Sequence, residues 1–477
     1  MKKVLLVNPP EMTQGVNLTI FPGPSIGLLW LVSYLRQYGF VPHFVDGWEI
    51  GWSGIEDKII NFQPDIVGVT AISALRHKAF KVAEIAKRIN PNIVVVMGGI
   101  HATIMWKQVL ENYPSIDIVV RGEGEVSLLE IAQGKPLNEI DGISYRNNGQ
   151  IICNKDRELI HNLDDIPLPA WDLNNFSVLA SVNDAKEGEI INGIDVSKEL
   201  VAPIISSRGC IGKCNFCSTW VTWKYSRCRS PENIVDELEY LYNKYNIKHF
   251  KFLDDAFSMD RNITMKFCDE LEKRKMRIAF AAQTRGDLID QELLERLYSV
   301  GHYILLIGVE SGSQKILDIM RKNIDLNKLK ENILMAKRIG FKINELLIVG
   351  NIGETIDTIN ETVEFVKQTE PDTTSVGHGL MLFPGTSVYQ HAKKVGLIND
   401  DFWLSEIPYM MYTYEHSEAM LHSFAHALYN RKRLPNSKPM VILENQRFFV
   451  RSITNKLSKA IGIKKKRKKG IKGYYPR

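Results

Sequence analysis

The sequence predicts an α/β protein: an N-terminal doubly wound, Rossmann-like domain, then a partial (β/α)6 barrel, then a small α-helical C-terminal region. Three observations carry this expectation. Two stretches alternate short apolar strand runs with helical spacing, a proline-stiffened segment separates them, and the strand pattern stops after Val395. With 477 residues, 44% of them apolar, the chain is long enough for two or three cores.

In the first stretch Val4–Val7, Asp65–Val69, Ile93–Met97 and Ile116–Val120 are strand cores, and Ile26–Tyr38, His77–Asn90 and Glu123–Gln133 have helical spacing. The alternation predicts an open parallel sheet of about five strands covered on both faces. No Gly-x-Gly-x-x-Gly follows the first strand, which argues against a dinucleotide ligand. Ligands of such sheets sit at the carboxyl ends of the strands, where Asn8-Pro9-Pro10, Gly98–Thr103 and Arg121–Glu125 fall. Gly142–Lys155 reads as a hairpin around Asn147-Asn148-Gly149, and Leu163–Asp172, with Pro167 and Pro169, as a linker. The expected divisions are residues 1–141, a hairpin and linker over 142–195, the barrel over 196–395, and a helical region with a basic tail over 396–477.

The second alternation starts at Val201. Strands are expected at Lys248–Leu253, Ile278–Ala282, Tyr303–Val309, Asn344–Val349 and Val376–Phe383, and helices at Pro231–Tyr245, Asn262–Arg274, Gln291–Val300, Lys328–Ile339 and Thr355–Gln368. Counting the Val201–Ile205 strand gives six units, short of a closed eight-fold barrel. Polar or glycine features end the strands: Asp254-Asp255, Arg285, Glu310-Ser311-Gly312, Gly350–Glu354 and Pro384-Gly385-Thr386. A single acid there is an ordinary helix cap, but features at every strand end of one rim suit a ligand that needs acids, an arginine and bare backbone.

Directly after the first of these strands come Cys210, Cys214 and Cys217. Thiolates are soft ligands that select zinc or iron–sulfur clusters, and three on one tight loop can hold three irons of a four-iron cluster and leave the fourth open. The alternative is a structural zinc site completed by Cys228, but closed zinc sites favour paired Cys-x2-Cys knuckles over this spacing. Cys228 and Cys268 are expected to fill space as small apolar residues.

Cys-x3-Cys-x2-Cys with an aromatic, Phe216, before the last cysteine resembles the signature of radical SAM enzymes. The resemblance implies a [4Fe-4S] cluster on Cys210, Cys214 and Cys217 whose open iron binds S-adenosyl-L-methionine, and reductive cleavage to a 5′-deoxyadenosyl radical. It puts the methionine-amino contacts at Asp254 and Asp255, where many members have Gly-Gly-Glu, a ribose or methionine contact at Glu310 with Ser311, and adenine packing at Gly350 and Gly353. The last segment reads Gly-Asn-Ile-Gly-Glu where relatives often have Gly-Leu-Pro-Gly-Glu. Arg285 either pairs with the cofactor carboxylate or neutralises neighbouring acids.

The first domain resembles the cobalamin-binding domains that precede radical SAM domains, through its Asn-Pro-Pro loop, Pro-Ser-Ile-Gly-Leu helix start, Gly-Gly-x-His-Ala turn and Gly-Glu-Gly-Glu turn. This implies bound cobalamin with Gly98, Gly99 and His101 against the corrin or its nucleotide tail, and Asn8, Gly122 and Glu123 on the same rim. Against that, a Gly-Gly pair also makes an ordinary tight turn, and a lone His is commonly a structural hydrogen-bonder. The Asp-x-His-x-x-Gly loop of many cobalamin proteins is missing after the first strand, and Asp46–Gly51 carries Trp48 in the His position, so cobalt is expected to have no protein histidine. Together the resemblances imply a methyltransferase acting on an unactivated carbon, with an oxidative cyclase, or an iron–sulfur redox or sensing protein, as alternatives. They also imply a small-molecule substrate and a reducing partner such as a flavodoxin or ferredoxin.

Cysteine usage and the start Met1-Lys2-Lys3-Val4, which runs into a strand, suggest a reducing cytosol. Met12–Leu35 is uncharged, but Pro22-Gly23-Pro24 breaks it before it could span a bilayer. From Arg431 on, sixteen Lys and Arg face one acid, Glu444, so within a net +5 the preceding chain carries −10. The run Lys464–Lys469 suits anionic lipid, nucleic acid or solvent, and no nucleic-acid module accompanies it. Membrane-surface docking would go with a lipid-like substrate. The cluster Trp403, Tyr409–Tyr412 and Tyr414, with a helix at Ser417–Arg431, is expected to close the open side of the barrel or simply to pack there.

Overall fold

The computed structural model describes residues 1–10, 25–176 and 185–435; the basic run 464–469 and Pro22–Pro24 lie outside them. The first domain is built from β1 (Val4–Asn8), α1 (Ile26–Gln37), β2 (His43–Asp46), α2 (Gly47–Phe62), β3 (Ile66–Thr70), α3 (Arg76–Ile89), β4 (Val94–Gly98), α4 (Ile100–Asn112), β5 (Ile118–Val120) and α5 (Glu125–Gln133). The strands lie in the order β2-β1-β3-β4-β5, all parallel. Alternation along each strand fills both faces. Leu5, Val7, Val67, Val95 and Met97 pack with residues of α2, α3 and α4, whereas Val4, Leu6, Ile66 and Val96 pack with α1 and α5.

Two helices, α2 and α4, lie where the spacing predicts none. Gly47, Gly51 and Gly54 dilute the apolar pattern of α2, and Gly51 breaks its helix with φ 62°. Asp46 starts that helix by accepting from the Trp48 amide at 3.1 Å, so Asp46–Gly51 is a helix entry. The 142–155 hairpin, β6 (Ile143–Asn147) and β7 (Gln150–Cys153), continues the sheet antiparallel beyond β5.

The second sheet is open and all parallel, in the order β10 (Val201–Ile204), β13 (His249–Phe252), β14 (Ala279–Thr284), β15 (His302–Glu310), β16 (Lys342–Ile348), β17 (Thr373–Gly377). Its crossover helices include α7 (Pro231–Tyr245), α8 (Arg261–Lys273), α9 (Gln291–Ser299), α11 (Leu326–Ile339) and α12 (Ile356–Thr369). They begin at Ser230, Asp260, Asp290, Asp325 and Thr355, each accepting from an amide three residues on, the arrangement worth about 1 kcal/mol per helix. Phe250, Phe252, Phe280, Leu305, Ile307, Ile343 and Leu347 face the helices. The last strand begins three residues earlier than expected and ends at Gly377. Leu380 and Leu382 instead enter a satellite core with Tyr389, Trp403 and Tyr412.

Smaller elements shape the ends of the barrel. At the amino ends of the strands lies the hairpin β8 (Ile190–Ile191) and β9 (Ile194–Asp195), with Asn192 Nδ2 on the Ile278 carbonyl at 3.1 Å, Glu189 paired with Lys342, and Ile194 and Val196 packed on Ala279 and Tyr303. At the carboxyl ends, β11 (Ser207–Arg208) and β12 (Arg227–Cys228) form an antiparallel ribbon enclosing the cysteine loop and α6 (Thr219–Trp223). After α10 (Gln314–Ile319) and α13 (Ser387–Lys394), the C-terminal α14 (Glu418–Tyr429) packs on α12 and β17, and Met411 bridges Met381. Arg76 of α3 is fully buried and gives its guanidinium to carbonyls of the same C-terminal region.

Candidate active site

The cysteine loop leaves the ribbon through Gly209, whose φ of 88° and 2.5 Å from a would-be Cβ to the Tyr225 carbonyl exclude any side chain. The amide of Gly212 points at Cys210 Sγ at 3.3 Å and that of Thr219 at Cys217 Sγ at 3.4 Å. Arg285 brings Nη1 to 4.0 Å from Cys214 Sγ. Burial raises the Cys214 and Cys217 thiols, against the pull of Lys322 and Arg285 on the first and Thr219 on the second. Among the described residues no three ligand side chains converge as they would on a single ion. Three thiols spread around one loop, with amides and a guanidinium aimed at sulfur, fit separate corners of a cluster instead. Cys228 and Cys268 are held as thiols, pushed up by burial to about 11 and about 12.

The strand-end residues divide by what already holds them. Asp254 is buried and accepts from the Ser206 amide at 3.0 Å, the Ser206 hydroxyl at 2.9 Å and the Ser207 hydroxyl, so it anchors the base of the cysteine loop from β13. Burial raises its carboxyl to about 6 against those three donors. Asp255 keeps an accessible surface although lack of bulk water raises its carboxyl, the combination expected of a group lining a concavity. Thr219 Oγ1 donates to it at 3.0 Å.

Glu310 ends β15 in the left-handed region, φ 64°, at a shift of the β15–β16 register, and accepts from Lys322 Nζ at 2.8 Å. Arg285 is committed to Asp287 at 3.0 Å and the Lys322 carbonyl at 2.8 Å. Lys322, buried beside Cys214 and Glu310, was missed in the sequence, where it reads as one more surface lysine after a short helix. Ser311 turns inward to Thr362 Oγ1 at 3.3 Å, and Phe216 packs on the satellite core.

The Gly350–Glu354 loop closes on itself. Glu354, raised by burial to about 7, accepts from the Gly350 and Asn351 amides, and Glu415 of the C-terminal region takes the Gly353 amide at 2.8 Å. Gly350 has φ 83°, and a Cβ there would stand 2.7 Å from Leu421 of α14.

Below this rim, register and alternation put Leu253, Gln283, Leu306 and Asn344 in one lumen layer, with Leu346 and Ser375 in the next. Ser375 Oγ donates to Asn344 Oδ1 at 3.2 Å. These residues are uncharged, whereas the layer beneath them on the same face holds Lys251 and Lys342.

At the first sheet, Asn8 donates to Asp46 Oδ1 at 3.1 Å, tying the ends of β1 and β2. Gly99 has φ 90°, and a Cβ would lie 2.7 Å from the Ala71 carbonyl, so the turn presses on the end of β3. Among the described residues a Cβ on Gly98 or Gly122 would meet nothing nearer than 4.0 Å, a ledge with room for a flat ligand. His101 does not reach that ledge as a free imidazole. It is buried with Nδ1 3.1 Å from Ser73 Oγ and its ring against Trp403, and burial with Arg76 nearby lowers it to about 3. Glu123 is wholly engaged by Arg208 at 2.6 Å, Arg227 at 3.0 Å and the Ile160 amide at 2.7 Å.

Comparison with known proteins follows the same division. Residues 204–366 match the radical SAM superfamily and residues 19–132 the B12 binding domain. An uncharacterized methyltransferase of Pyrococcus horikoshii is 31% identical over 397 residues, covering 82% of this chain and 83% of that protein. The anaerobic magnesium-protoporphyrin IX monomethyl ester cyclase of Rubrivivax gelatinosus is 32% identical over 383 residues, 78% of this chain and 66% of that one. The fold is shared with the radical S-adenosylmethionine methyltransferase TsrM of Kitasatospora setae, solved with tryptophan substrate and a SAM analogue (TM-score 0.68, 18% identity, 83% of this chain and 76% of that). It is also shared with the cobalamin-dependent enzyme OxsB (TM-score 0.70, 20% identity, 90% and 66%).

Proposed function

The chain belongs to the radical SAM enzymes that carry a cobalamin-binding domain, and from this premise we propose that it transfers a methyl group to an unactivated carbon of a small molecule. The observation that carries the reading is the joining of the two rims: the ribbon bearing the cysteine loop is bound to the Gly-Glu-Gly-Glu turn at the carboxyl edge of the first sheet. The cluster with S-adenosylmethionine supplies a carbon radical, and cobalamin supplies the methyl group.

The protein's part is to hold and orient. Cys210, Cys214 and Cys217 would hold the cluster, with Arg285 neutralising thiolate charge as it also neutralises Asp287. Asp255 offers an accessible carboxylate for an ammonium, and Glu310 a second acceptor steadied by Lys322. The faces of Gly350 and Gly353 are met by Leu421 and Ile319, so these glycines serve the packing of their loop rather than an adenine. Asp254, Ser311, His101 and Glu123 act behind these as supports. The ledge over Gly98 and Gly122 would receive the corrin. A reducing protein such as a flavodoxin or ferredoxin is the expected electron source.

The 32%-identical cyclase favours a second reading, oxidative ring formation by the same domains. Anaerobic reconstitution with iron, sulfide and hydroxocobalamin, followed by reduction with methyl-deuterated S-adenosylmethionine, separates the two. Labelled methylcobalamin together with S-adenosylhomocysteine and deoxyadenosine supports methyl transfer. Deoxyadenosine without label on cobalt sinks it in favour of the cyclase. Among the described residues no helix is long and apolar enough to cross a membrane.

A further inference from the structure

Arg208 lies two residues before Cys210, in a ribbon where it stands directly opposite Arg227. Two like charges in a cross-strand pair repel, and here both are nearly inaccessible to water. Two carboxylates from the other domain compensate them. Arg208 Nη1 donates to Glu123 at 2.6 Å and its Nη2 to Glu125 at 2.6 Å, and Arg227 Nη1 shares Glu123 at 3.0 Å and 3.1 Å. Both acids come from the turn that follows β5, Glu125 at the first position of α5, where the helix dipole favours a negative charge. The Arg208 guanidinium also lies over the Trp30 ring of α1, 4.9 Å from its centroid. The Trp223 ring of α6 lies farther off, at 5.8 Å, so the ion pairs of this arginine and its nearer ring contact are with the first domain, while the residue itself is covalently continuous with the cysteine loop. On the opposite side Asp254 fixes Ser206 and Ser207 to the barrel.

We propose that Arg208 is a positioning residue that sets the separation of the cysteine-bound cluster from the ledge over Gly98 and Gly122. The proposal rests on the cobalamin-dependent reading of both sites. The chemistry of such a pair of sites requires a fixed gap, and a bidentate, desolvated guanidinium bridging two carboxylates is a directional way to fix one, because displacement strands buried charge on both sides. Glu123 and Glu125 thereby acquire a role that a site limited to the first domain would not give them.

The test uses the full chain reconstituted with cluster and cobalamin, reduced to the paramagnetic cluster and cob(II)alamin, with the dipolar coupling between the two spins read by pulsed electron paramagnetic resonance. Wild type should give one narrow coupling. Arg208→Gln, at unchanged iron and cobalt content, should give a weakened and spread distribution, and Arg208→Lys should recover part of the narrow component. If Arg208→Gln does not retain both groups, Glu125→Gln, which leaves Glu123 on both arginines, should show the same spreading. An unchanged narrow coupling in the variants that keep iron and cobalt overturns the proposal. A wild type with the narrow coupling that forms no methylcobalamin from S-adenosylmethionine overturns the methyl-transfer reading and leaves the positioning role standing.

Discussion

Arg76 Nε donates to the Trp403 carbonyl at 2.7 Å, joining α3 of the first domain to the segment that follows the barrel. The same guanidinium reaches the carbonyls of Ser405 at 2.6 Å and Ile407 at 2.9 Å, and stacks over the Trp403 ring at 4.8 Å. With its charge met by carbonyl dipoles, it is pulled down by burial to about 10 and stays protonated at neutral pH. Arg76→Met removes these donors together. Hydrogen bonds from a charged group contribute roughly 1.5–3 kcal/mol each and are not additive, so a loss of about 3 kcal/mol is expected. Limited proteolysis should show new cleavage between Asp400 and Glu415, with the two sheets still resistant.

Asp254→Ala leaves the Ser206 amide and two hydroxyls without their acceptor at the base of the cysteine loop. Each unsatisfied buried group costs about 1–3 kcal/mol. The expected outcome is a folded protein that takes up less iron on reconstitution, measured as iron per chain. Asp254→Asn, which retains one acceptor oxygen, should be intermediate.

Gly99→Ala should destabilise the first domain by more than about 1 kcal/mol, because alanine is strained at a φ of 90° and its Cβ would fall 2.7 Å from the Ala71 carbonyl. Cobalamin uptake should fall while iron uptake is retained. Gly122→Ala meets no neighbour within 4 Å among the described residues, and its cost comes from its own positive φ. Its larger effect is expected on cobalamin affinity, measured by titration.

The Glu354 carboxyl is raised from 4.5 to about 7 by burial. A raised acid binds more protons folded than unfolded, so its contribution to stability is present at low pH and lost as pH rises from about 4.5 to about 7. The shift corresponds to about 3 kcal/mol over that window. Glu354→Gln, neutral throughout, should flatten this part of the profile. The difference between wild-type and variant thermal midpoints from pH 4 to pH 8, in protein without cofactors, measures it.

Features whose causes are local were legible in the sequence. The cysteine spacing, the strand runs and the capped helices of the barrel each need only neighbouring residues to be recognised. The site's supports were not legible, because their partners are distant in the chain. Glu123 meets Arg208, His101 meets Trp403, and Lys322 meets Glu310 only once both domains are folded. The two carboxylates of the Gly-Glu-Gly-Glu turn are met by Arg208 and Arg227, partners that no local pattern announces. The missed α2 has a different cause, its three glycines weakening the helical period that Asp46 and tertiary packing restore.

The hairpin from Ile190 to Asp195 bears on access. With Asn192 on Ile278, Glu189 on Lys342, and Ile194 and Val196 packed against Ala279 and Tyr303, it covers the amino ends of the barrel strands. The carboxyl ends, where the cysteine loop and the first domain meet, are the side from which a small molecule would approach.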